Sequence, residues 1–229
     1  MRDEYVRQGL FAREDRLSVI YHLPPQIGDT SAVAPPPAEW QLPAAEPVVT
    51  FVGKISLGKG AHILLEAIPR VLERHPTAVF VFAGRPTPQI RTSPTNIAPQ
   101  SIRWLGHLPW SQVQALLARS SLVVMPSVCF EGLGRVVIEA NSAGVPVVAS
   151  RRGGIPELIV ERESGWLVEP GDAGALAERI AAALDDPARL HRMGELARGL
   201  LRERFDPDKI TSDVLAVYQA AISGHTLPL

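Results

Sequence analysis

The sequence has little of what marks secreted, zinc-binding or membrane-spanning proteins. Its single cysteine, Cys129, allows no disulfide within the chain and no cysteine set for zinc. No apolar run reaches the roughly 18 residues that span a bilayer, and no signal-like apolar region follows Met1. We therefore expect a cytoplasmic protein without a transmembrane segment, while peripheral contact with a membrane surface stays open.

An excess of charge of either sign is also missing. The 23 Lys and Arg residues nearly balance the 24 Asp and Glu residues, so bulk charge predicts no nucleic-acid partner. The six histidines show no ligand spacing and no D-x-D element occurs, so we expect no bound metal. The G-x-S-x-G turn of serine hydrolases is absent as well, which excludes that class.

What the sequence does contain is a regular pattern from residue 48 onward. Short apolar runs that end in glycine or serine alternate with amphipathic segments, which is typical of strands buried on both faces of a parallel sheet. We predict an α/β fold with a doubly wound parallel sheet and additional helices at the carboxyl terminus. The predicted strands are 48–53, 78–84, 102–106, 122–127, 145–150 and, at an edge, 165–170; the predicted helices are 61–75, 111–120, 134–144, 172–186, 187–205 and 206–222.

Three stretches stand outside this pattern. Residues 1–22 predict a short polar helix and then a small strand, and residues 23–47 are rich in proline and alanine and predict a linker or surface loop. Residues 85–100 are rich in proline and threonine and predict a surface loop within one crossover.

The segment FVGKISLGKG, residues 51–60, connects a predicted strand to a predicted helix. From Gly53 to Lys59 it matches the phosphate-binding pattern G-x-x-x-x-G-K, but Gly60 replaces the hydroxyl that would hold Mg²⁺. A P-loop NTPase is therefore the weakest alternative. Lys54 and Lys59 at this turn suit an anionic ligand such as a diphosphate; the alternative is two solvated loop lysines.

The segment CFEGLGRVVIEANSAG, residues 129–144, places two carboxylates on either side of a predicted helix start near Gly134. Free N–H groups at a helix start favour an anion, and paired carboxylates suit the hydroxyls of a ribose and a hexose. In the alternative, Glu131 only complements the helix dipole and Glu139 pairs with Arg135 on a solvated face.

A third segment, ASRRGGIPELI at 149–159, directly follows a predicted strand. Gly153 and Gly154 let the chain turn before a short helix begun by Pro156, so the segment is either part of a site or a plain turn. All three segments fall where parallel strands end, which is the edge at which open α/β sheets bind ligands.

Taken in order, these segments resemble the donor-binding half of GT-B glycosyltransferases of the large retaining family 4, the glycosyl transferases group 1. The family's E-x7-E signature corresponds to Glu131 and Glu139. Its G-x-P-V-[IV]-A-[ST]-x-x-G-G-[ILV]-P-E tail corresponds to AGVPVVASRRGGIPE. The resemblance extends over about residues 48–205, and the implied fold is the Rossmann-like carboxyl-terminal half of GT-B.

The resemblance also implies roles for individual residues, with Glu131, Lys59 and Lys54 as the catalytic set. Lys59 would contact the donor diphosphate together with Lys54, which replaces a more usual arginine. Glu131 would contact the transferred sugar and Glu139 the ribose, while Arg85 replaces a small or acidic residue. Backbone N–H groups and a base-side wall complete the implied donor site: Gly53, Gly84, Trp104, Leu105, Gly106, Gly132, Leu133 and Gly134.

The implied activity is sugar transfer from a UDP-, GDP- or ADP-linked donor, with retention at the anomeric carbon and no cofactor. Residues 1–47 would be a remnant of the family's acceptor domain plus a linker, 48–205 the donor domain, and 206–229 a crossover helix and tail. The acceptor domain would be lost by truncation or lie in a separate chain, and this half alone would be inactive. A non-catalytic module that binds nucleotide sugars is the alternative from another class.

Overall fold

The computed structural model describes residues 6, 9, 19–21, 33–90, 92 and 96–223. Within these residues strands alternate with helices, as the apolar runs predict. The strands are β1 Val48–Val52, β2 Val79–Ala83, β3 Ile102–Gly106, β4 Leu122–Met125, β5 Val147–Ser150 and β6 Gly165–Val168. The helices are α1 Ala61–Arg74, α2 Trp110–Arg119, α3 Arg135–Ser142, α4 Ala173–Leu184, α5 Pro187–Arg204 and α6 Pro207–Ser223.

The six strands form one parallel sheet in the order β3-β2-β1-β4-β5-β6. Two right-handed halves diverge from the centre of such a sheet, so the chain order reverses between β1 and β4. The predicted doubly wound α/β fold is confirmed, and β6 lies at an edge as predicted. The reversal opens a crevice at the carboxyl ends of β1 and β4, next to the segments that contain Lys59 and Glu131.

Both faces of the sheet are covered, which explains the continuous apolar runs. On β2, Phe80 and Phe82 belong to a core cluster with residues of α1 and α4. The alternate side chains of the same strand, Val79 and Val81, pack in a second cluster with Trp40. Burial on both sides leaves no solvent face that would require polar alternation.

Aspartates precede the first turns of the last three helices, which begin within one residue of the predicted starts. The carboxylate of Asp172 accepts the N–H of Ala175 at 2.8 Å at the start of α4. Asp186 and Asp206 accept N–H groups at 2.8 Å in the same way at the starts of α5 and α6. These bonds satisfy donors that the first helical turn leaves without a partner.

The amino-terminal predictions have a different outcome. Most of the helix predicted within 1–22 lies outside the described residues, and residues 19–21 form no strand. The stretch predicted as a linker or surface loop is attached to the sheet at its carboxyl end, where Trp40 is buried and Arg119 donates to the carbonyl of Glu46 at 3.0 Å. Apolar burial and a charged donor therefore hold residues 38–46 against the domain.

The loop between β2 and β3 and the last helix complete the fold. The loop contains a 3₁₀ turn, Pro99–Ser101, and an isolated bridge from Pro86 to Ile55. It does not lie wholly on the surface as predicted, because Ile90 and Ile97 are buried in the core. On α6, Leu215, Tyr218 and Ile222 are exposed, at the spacing that places them on one helix face. No helix in the described parts of the chain combines the length and apolar character needed to cross a membrane.

Candidate functional site

Three loops meet at the carboxyl edge of the sheet. We call residues 53–60 after β1 the lysine loop, residues 126–134 after β4 the glutamate loop, and residues 151–154 after β5 the glycine loop. Because all strands are parallel, these loops leave the sheet on the same side. The topology therefore brings together three segments that lie far apart in the sequence.

Backbone hydrogen bonds join the lysine loop to the glutamate loop. The carbonyl of Gly58 accepts the N–H groups of Val128 and Cys129 at 3.0 and 2.9 Å. This contact sets the two loops side by side at the centre of the sheet, so the side chains of one can reach those of the other.

The glycine loop supports the glutamate loop from the other side. The N–H of Gly154 donates to the carbonyl of Glu131 at 2.8 Å. Gly153 has a φ of 59°, and a Cβ at this position would lie 2.1 Å from the same carbonyl oxygen. A side chain would push the glutamate loop away. The two glycines therefore permit close backbone packing beneath Glu131, beyond what a plain turn requires.

Lys59 and Glu131 form an ion pair between the two loops. Lys59 Nζ lies 2.6 Å from Glu131 Oε1, and Ser127 Oγ donates to the same oxygen at 2.7 Å. The Glu131 side chain is only 10% exposed, whereas that of Lys59 is 36% exposed. The carboxylate is thus held in place by two donors, and its cationic partner retains access to solvent.

Glu139 occupies a different environment, on α3. Its Oε1 lies 3.6 Å from Arg135, the i,i+4 pair that the sequence allows. The Glu139 side chain is 11% exposed and that of Arg135 is 67% exposed, so only the arginine of the pair lies on a solvated face. Burial raises the pKa of the Glu139 carboxyl, and the nearby Arg135 guanidinium only partly opposes the shift. A buried carboxylate whose one cationic partner is an exposed arginine is suited to accept hydrogen bonds from a ligand.

A cavity of about 760 Å³ lies beside Glu139, at the ends of the first three strands. Gly53, Lys54 and Gly84 line it together with Glu139, so the structure brings these four predicted residues together. Lys59, Glu131 and the helix start at Gly134 are not part of its lining. They form a second group in the loops next to it, on the amino-terminal side of α3.

The start of α3 lies between Glu131 and Glu139 along the chain. Gly134 precedes the helix with a φ of 71°, and among the described residues no side chain caps this end. Gly132 is exposed and Leu133 half-buried in the loop that leads to it. The predicted anion-binding role of these backbone N–H groups stays a prediction.

The three residues predicted to form the base-side wall do not line the cavity. The indole of Trp104 stacks on Phe82 with ring centroids 4.5 Å apart, and Leu105 packs against the cluster around Trp40. Gly106 accepts the N–H of Gly84 through its carbonyl at 2.6 Å. The cavity is lined instead by the residues that follow them, and the base-side role of these three stays a prediction.

Sequence reasoning missed several cavity residues that follow β2 and β3. Thr87 has a buried hydroxyl oxygen without a partner among the described residues. A signal was available, because ligand-contacting residues of open α/β sheets follow the strands rather than lie within them. The missed lining residues with polar or aromatic side chains are Thr87, His107 and Trp110, and Arg85, which the sequence analysis names as a departure from the family, lines the cavity as well.

Two further observations concern other parts of the molecule. Where the structure describes the chain, it contains no group of three or more His, Cys, Asp or Glu side chains that could hold a metal ion. A second cavity, of about 420 Å³, lies between residues 19–21 and the last two helices and includes none of the predicted site residues.

Replacing Glu139 with glutamine is expected to stabilise the fold near neutral pH. Because the folded-state pKa of Glu139 is raised, the folded chain binds the proton more tightly than the unfolded chain. Ionisation therefore opposes folding once the pH rises above the ordinary carboxyl value. Thermal melts between about pH 4 and pH 8 should show a higher melting temperature for Glu139→Gln at the upper end. The difference should shrink as the pH falls through the raised pKa towards the ordinary one.

The matched control for this pH series is Glu178→Gln, because Glu178 lies on the surface with a side chain that is 58% exposed. Its melting temperature should follow that of the wild type at each pH. A Glu139→Gln variant that is less stable than the wild type at neutral pH would contradict the expectation.

Comparison with known proteins agrees with the fold. The model of the family described as Glycosyl transferases group 1 matches residues 37–200. The glycogen synthase of Mycobacterium tuberculosis strain CDC 1551 / Oshkosh is 33% identical over 199 residues, which cover 83% of this chain and 48% of that protein. The crystal structure of Anabaena HepE in complex with UDP has a TM-score of 0.77 at 24% identity and covers 96% of this chain and 61% of that one.

A third similar protein is the carboxyl-terminal domain of LpcC from Francisella tularensis, a glycosyl transferase group 1 family protein. It has a TM-score of 0.67 at 22% identity and covers 79% of this chain and 99% of that one. The chain spans about half the length of the curated relatives it matches. Since the family match covers most of the sequence, the chain belongs to the glycosyl transferases group 1 family.

Proposed function

We propose that the crevice at the carboxyl edge of the sheet binds a nucleoside diphosphate sugar. The observation that carries the proposal is the Lys59–Glu131 pair, 2.6 Å apart where the loops meet and beside the uncapped start of α3. A mobile cation next to a buried carboxylate offers one partner for a diphosphate and another for sugar hydroxyls.

The two groups of site residues suit the two ends of such an extended ligand. In the proposal the nucleoside occupies the 760 Å³ cavity, where Glu139 accepts from the ribose and Lys54 reaches the diphosphate. The diphosphate lies over the backbone N–H groups of Leu133 and Gly134, where the positive end of the helix dipole favours an anion. The sugar then lies towards Glu131.

The proposed reaction is transfer of the sugar to an acceptor with retention of the anomeric configuration, as in retaining family 4 enzymes. Negative charge develops on the departing diphosphate, so Lys54, Lys59 and the helix start act where the transition state needs stabilisation. The leaving phosphate accepts the acceptor's proton in this scheme, without a metal ion or other cofactor. The single cysteine fits a reducing compartment, and we place the reaction in the cytoplasm.

In this proposal the parallel sheet and its loops supply the donor-binding half of the enzyme, and a further domain binds the acceptor. Three observations support the division. The chain spans about half of its curated relatives, and its fold matches an isolated carboxyl-terminal domain over 99% of that domain's length. The exposed apolar residues of α6, Leu215, Tyr218 and Ile222, offer a surface for a further domain.

Calorimetric titration with UDP, GDP and ADP is expected to detect binding of at least one of the three. The matching nucleoside monophosphate should bind more weakly, because it lacks the second phosphate that Lys59 and the helix start would contact. Absence of binding by all three diphosphates at about 1 mM would contradict the proposal. A parallel titration with added Mg²⁺ and one with a chelator test the expected independence from metal.

A transfer assay separates the enzyme from the non-catalytic binding module. An enzyme half is expected to release the sugar from the bound donor after an acceptor-binding domain from the same family is added. This result would exclude a pure binding module. Hydrolysis of ATP that requires Mg²⁺ and Lys59 would instead indicate a P-loop NTPase. This chain has Gly60 where the P-loop pattern has a hydroxyl residue.

A further inference from the structure

Both strong hydrogen bonds to Glu131 fall on the same carboxylate oxygen. Lys59 Nζ and Ser127 Oγ lie 2.6 and 2.7 Å from Oε1, and Cys129 Sγ lies 3.8 Å from it. From the described residues, Oε2 accepts no hydrogen bond. The carboxylate is therefore anchored through one oxygen and leaves the other available for a further donor.

The two donors differ in their freedom to move. The Lys59 side chain is 36% exposed and has four rotatable methylene groups, so its ammonium group can turn to another anion. Ser127 is fully buried two residues after β4 and four residues before Glu131, and its short side chain has a single rotatable bond to the hydroxyl-bearing carbon. Ser127 therefore keeps its hydrogen bond to Glu131 when the Lys59 ammonium group moves to another anion.

We propose that Ser127 is a positioning residue for the donor sugar. It holds Oε1 of Glu131 so that Oε2 accepts hydrogen bonds from the sugar hydroxyls, and it keeps the buried carboxylate hydrogen-bonded while Lys59 contacts the diphosphate. Without Ser127, movement of Lys59 would leave a largely buried carboxylate without a strong donor, which is unfavourable. The inference rests on the proposed binding of a nucleoside diphosphate sugar.

The test compares a nucleoside diphosphate with its sugar conjugates. Calorimetry on the whole chain measures dissociation constants for the diphosphate that the wild type binds, and for the glucose and mannose conjugates of the same base. The ratio to compare is the Kd of the sugar conjugate that the wild type binds more tightly, divided by the Kd of the diphosphate. In Ser127→Ala this ratio should rise about tenfold. Affinity for the diphosphate alone should fall by a smaller factor, because both ligands draw Lys59 away from Glu131 but only the conjugate places hydroxyls at Oε2.

Two variants separate this role from a structural one. Ser127→Cys keeps the size of the side chain with a weaker donor, so its ratio should fall between those of Ser127→Ala and the wild type. Ser164→Ala removes another buried hydroxyl, which accepts the N–H of Val160 at 2.9 Å, and should leave the ratio unchanged.

The outcomes distinguish the inference from the function on which it rests. A wild type that binds no nucleoside diphosphate overturns both. A wild type that binds diphosphate and conjugate, with Ser127 variants that keep the wild-type ratio or lose both affinities equally, overturns the positioning role alone. If Ser127→Ala does not fold, Ser127→Cys decides the result by the same ratio.

Discussion

Replacing Lys59 with alanine is expected to weaken nucleoside diphosphate binding by about 10- to 100-fold. Hydrogen bonds between charged partners are the strong ones, and Lys59 is the cation that the structure places between the two loops of the site. Its removal also leaves the charge of Glu131 uncompensated close to the incoming phosphates. Calorimetric titration of the variant and the wild type, in the same buffer and at the same salt concentration, measures the loss.

A companion variant should shift the same affinity in the opposite direction. In the unliganded chain Lys59 is paired with Glu131, so a diphosphate has to compete with this carboxylate for the ammonium group. Glu131→Gln removes the competing charge and should strengthen binding of the diphosphate alone. Lys209→Ala, on the exposed surface of α6, serves as the control for a general loss of positive charge. Equal effects of the two lysine variants, or weaker diphosphate binding by Glu131→Gln, would contradict this account of the pair.

Replacing Gly60 with alanine is expected to lower the free energy of unfolding by about 2 to 5 kcal/mol. Gly60 precedes α1 with a φ of 71°, and an added Cβ would lie 1.8 Å from the carbonyl oxygen of Pro126. Because the obstructing atom belongs to the backbone, relief requires α1 and the glutamate loop to move apart. Chemical denaturation measures the change, which is a large fraction of the stability of an ordinary domain.

The matched control for Gly60 is Gly171, another glycine with a left-handed backbone. Its φ is 85°, but no atom lies within 4 Å of the position that a Cβ would take. Gly171→Ala therefore reports the backbone strain alone, about 1 to 2 kcal/mol. Equal losses in the two variants would show that close packing of the lysine and glutamate loops contributes little to stability. A folded Gly60→Ala chain should also bind nucleotide more weakly, since Lys59 is its immediate neighbour.

The sheet was largely predictable from local patterns. Most strands are recognisable by an apolar run bounded by glycine, proline or serine, because burial on both faces selects for such runs. The edge strand β3, IRWLG, is only partly buried and contains Arg103. Helix starts at Asp172, Asp186 and Asp206 were equally local, since a cap depends on atoms within three residues. The amino-terminal strand expected before residue 22 was wrong for residues 19–21, which lack a neighbouring strand to pair with in the described sheet.

The candidate site was predictable in its residue types but not in its arrangement. Lys59 and Glu131 are separated by 72 positions, and no local pattern predicts that they pair with each other. Ser127 was not singled out because a serine at a strand end is common, and only its distance to Glu131 gives it a role. The cavity residues after β2 and β3 belong to loops whose course depends on long-range packing.

The sequence by itself determined the alternating strands and helices, the family and the identity of the charged residues at the strand ends. These follow from periodicity and from short motifs, in which each residue acts through its near neighbours along the chain. Only the tertiary structure decided that Lys59 and Ser127 share one oxygen of Glu131, and that Glu139 lies beside a separate cavity. Hydrogen bonds and burial depend on distances in space, and the parallel sheet alone brings these loops within reach of one another.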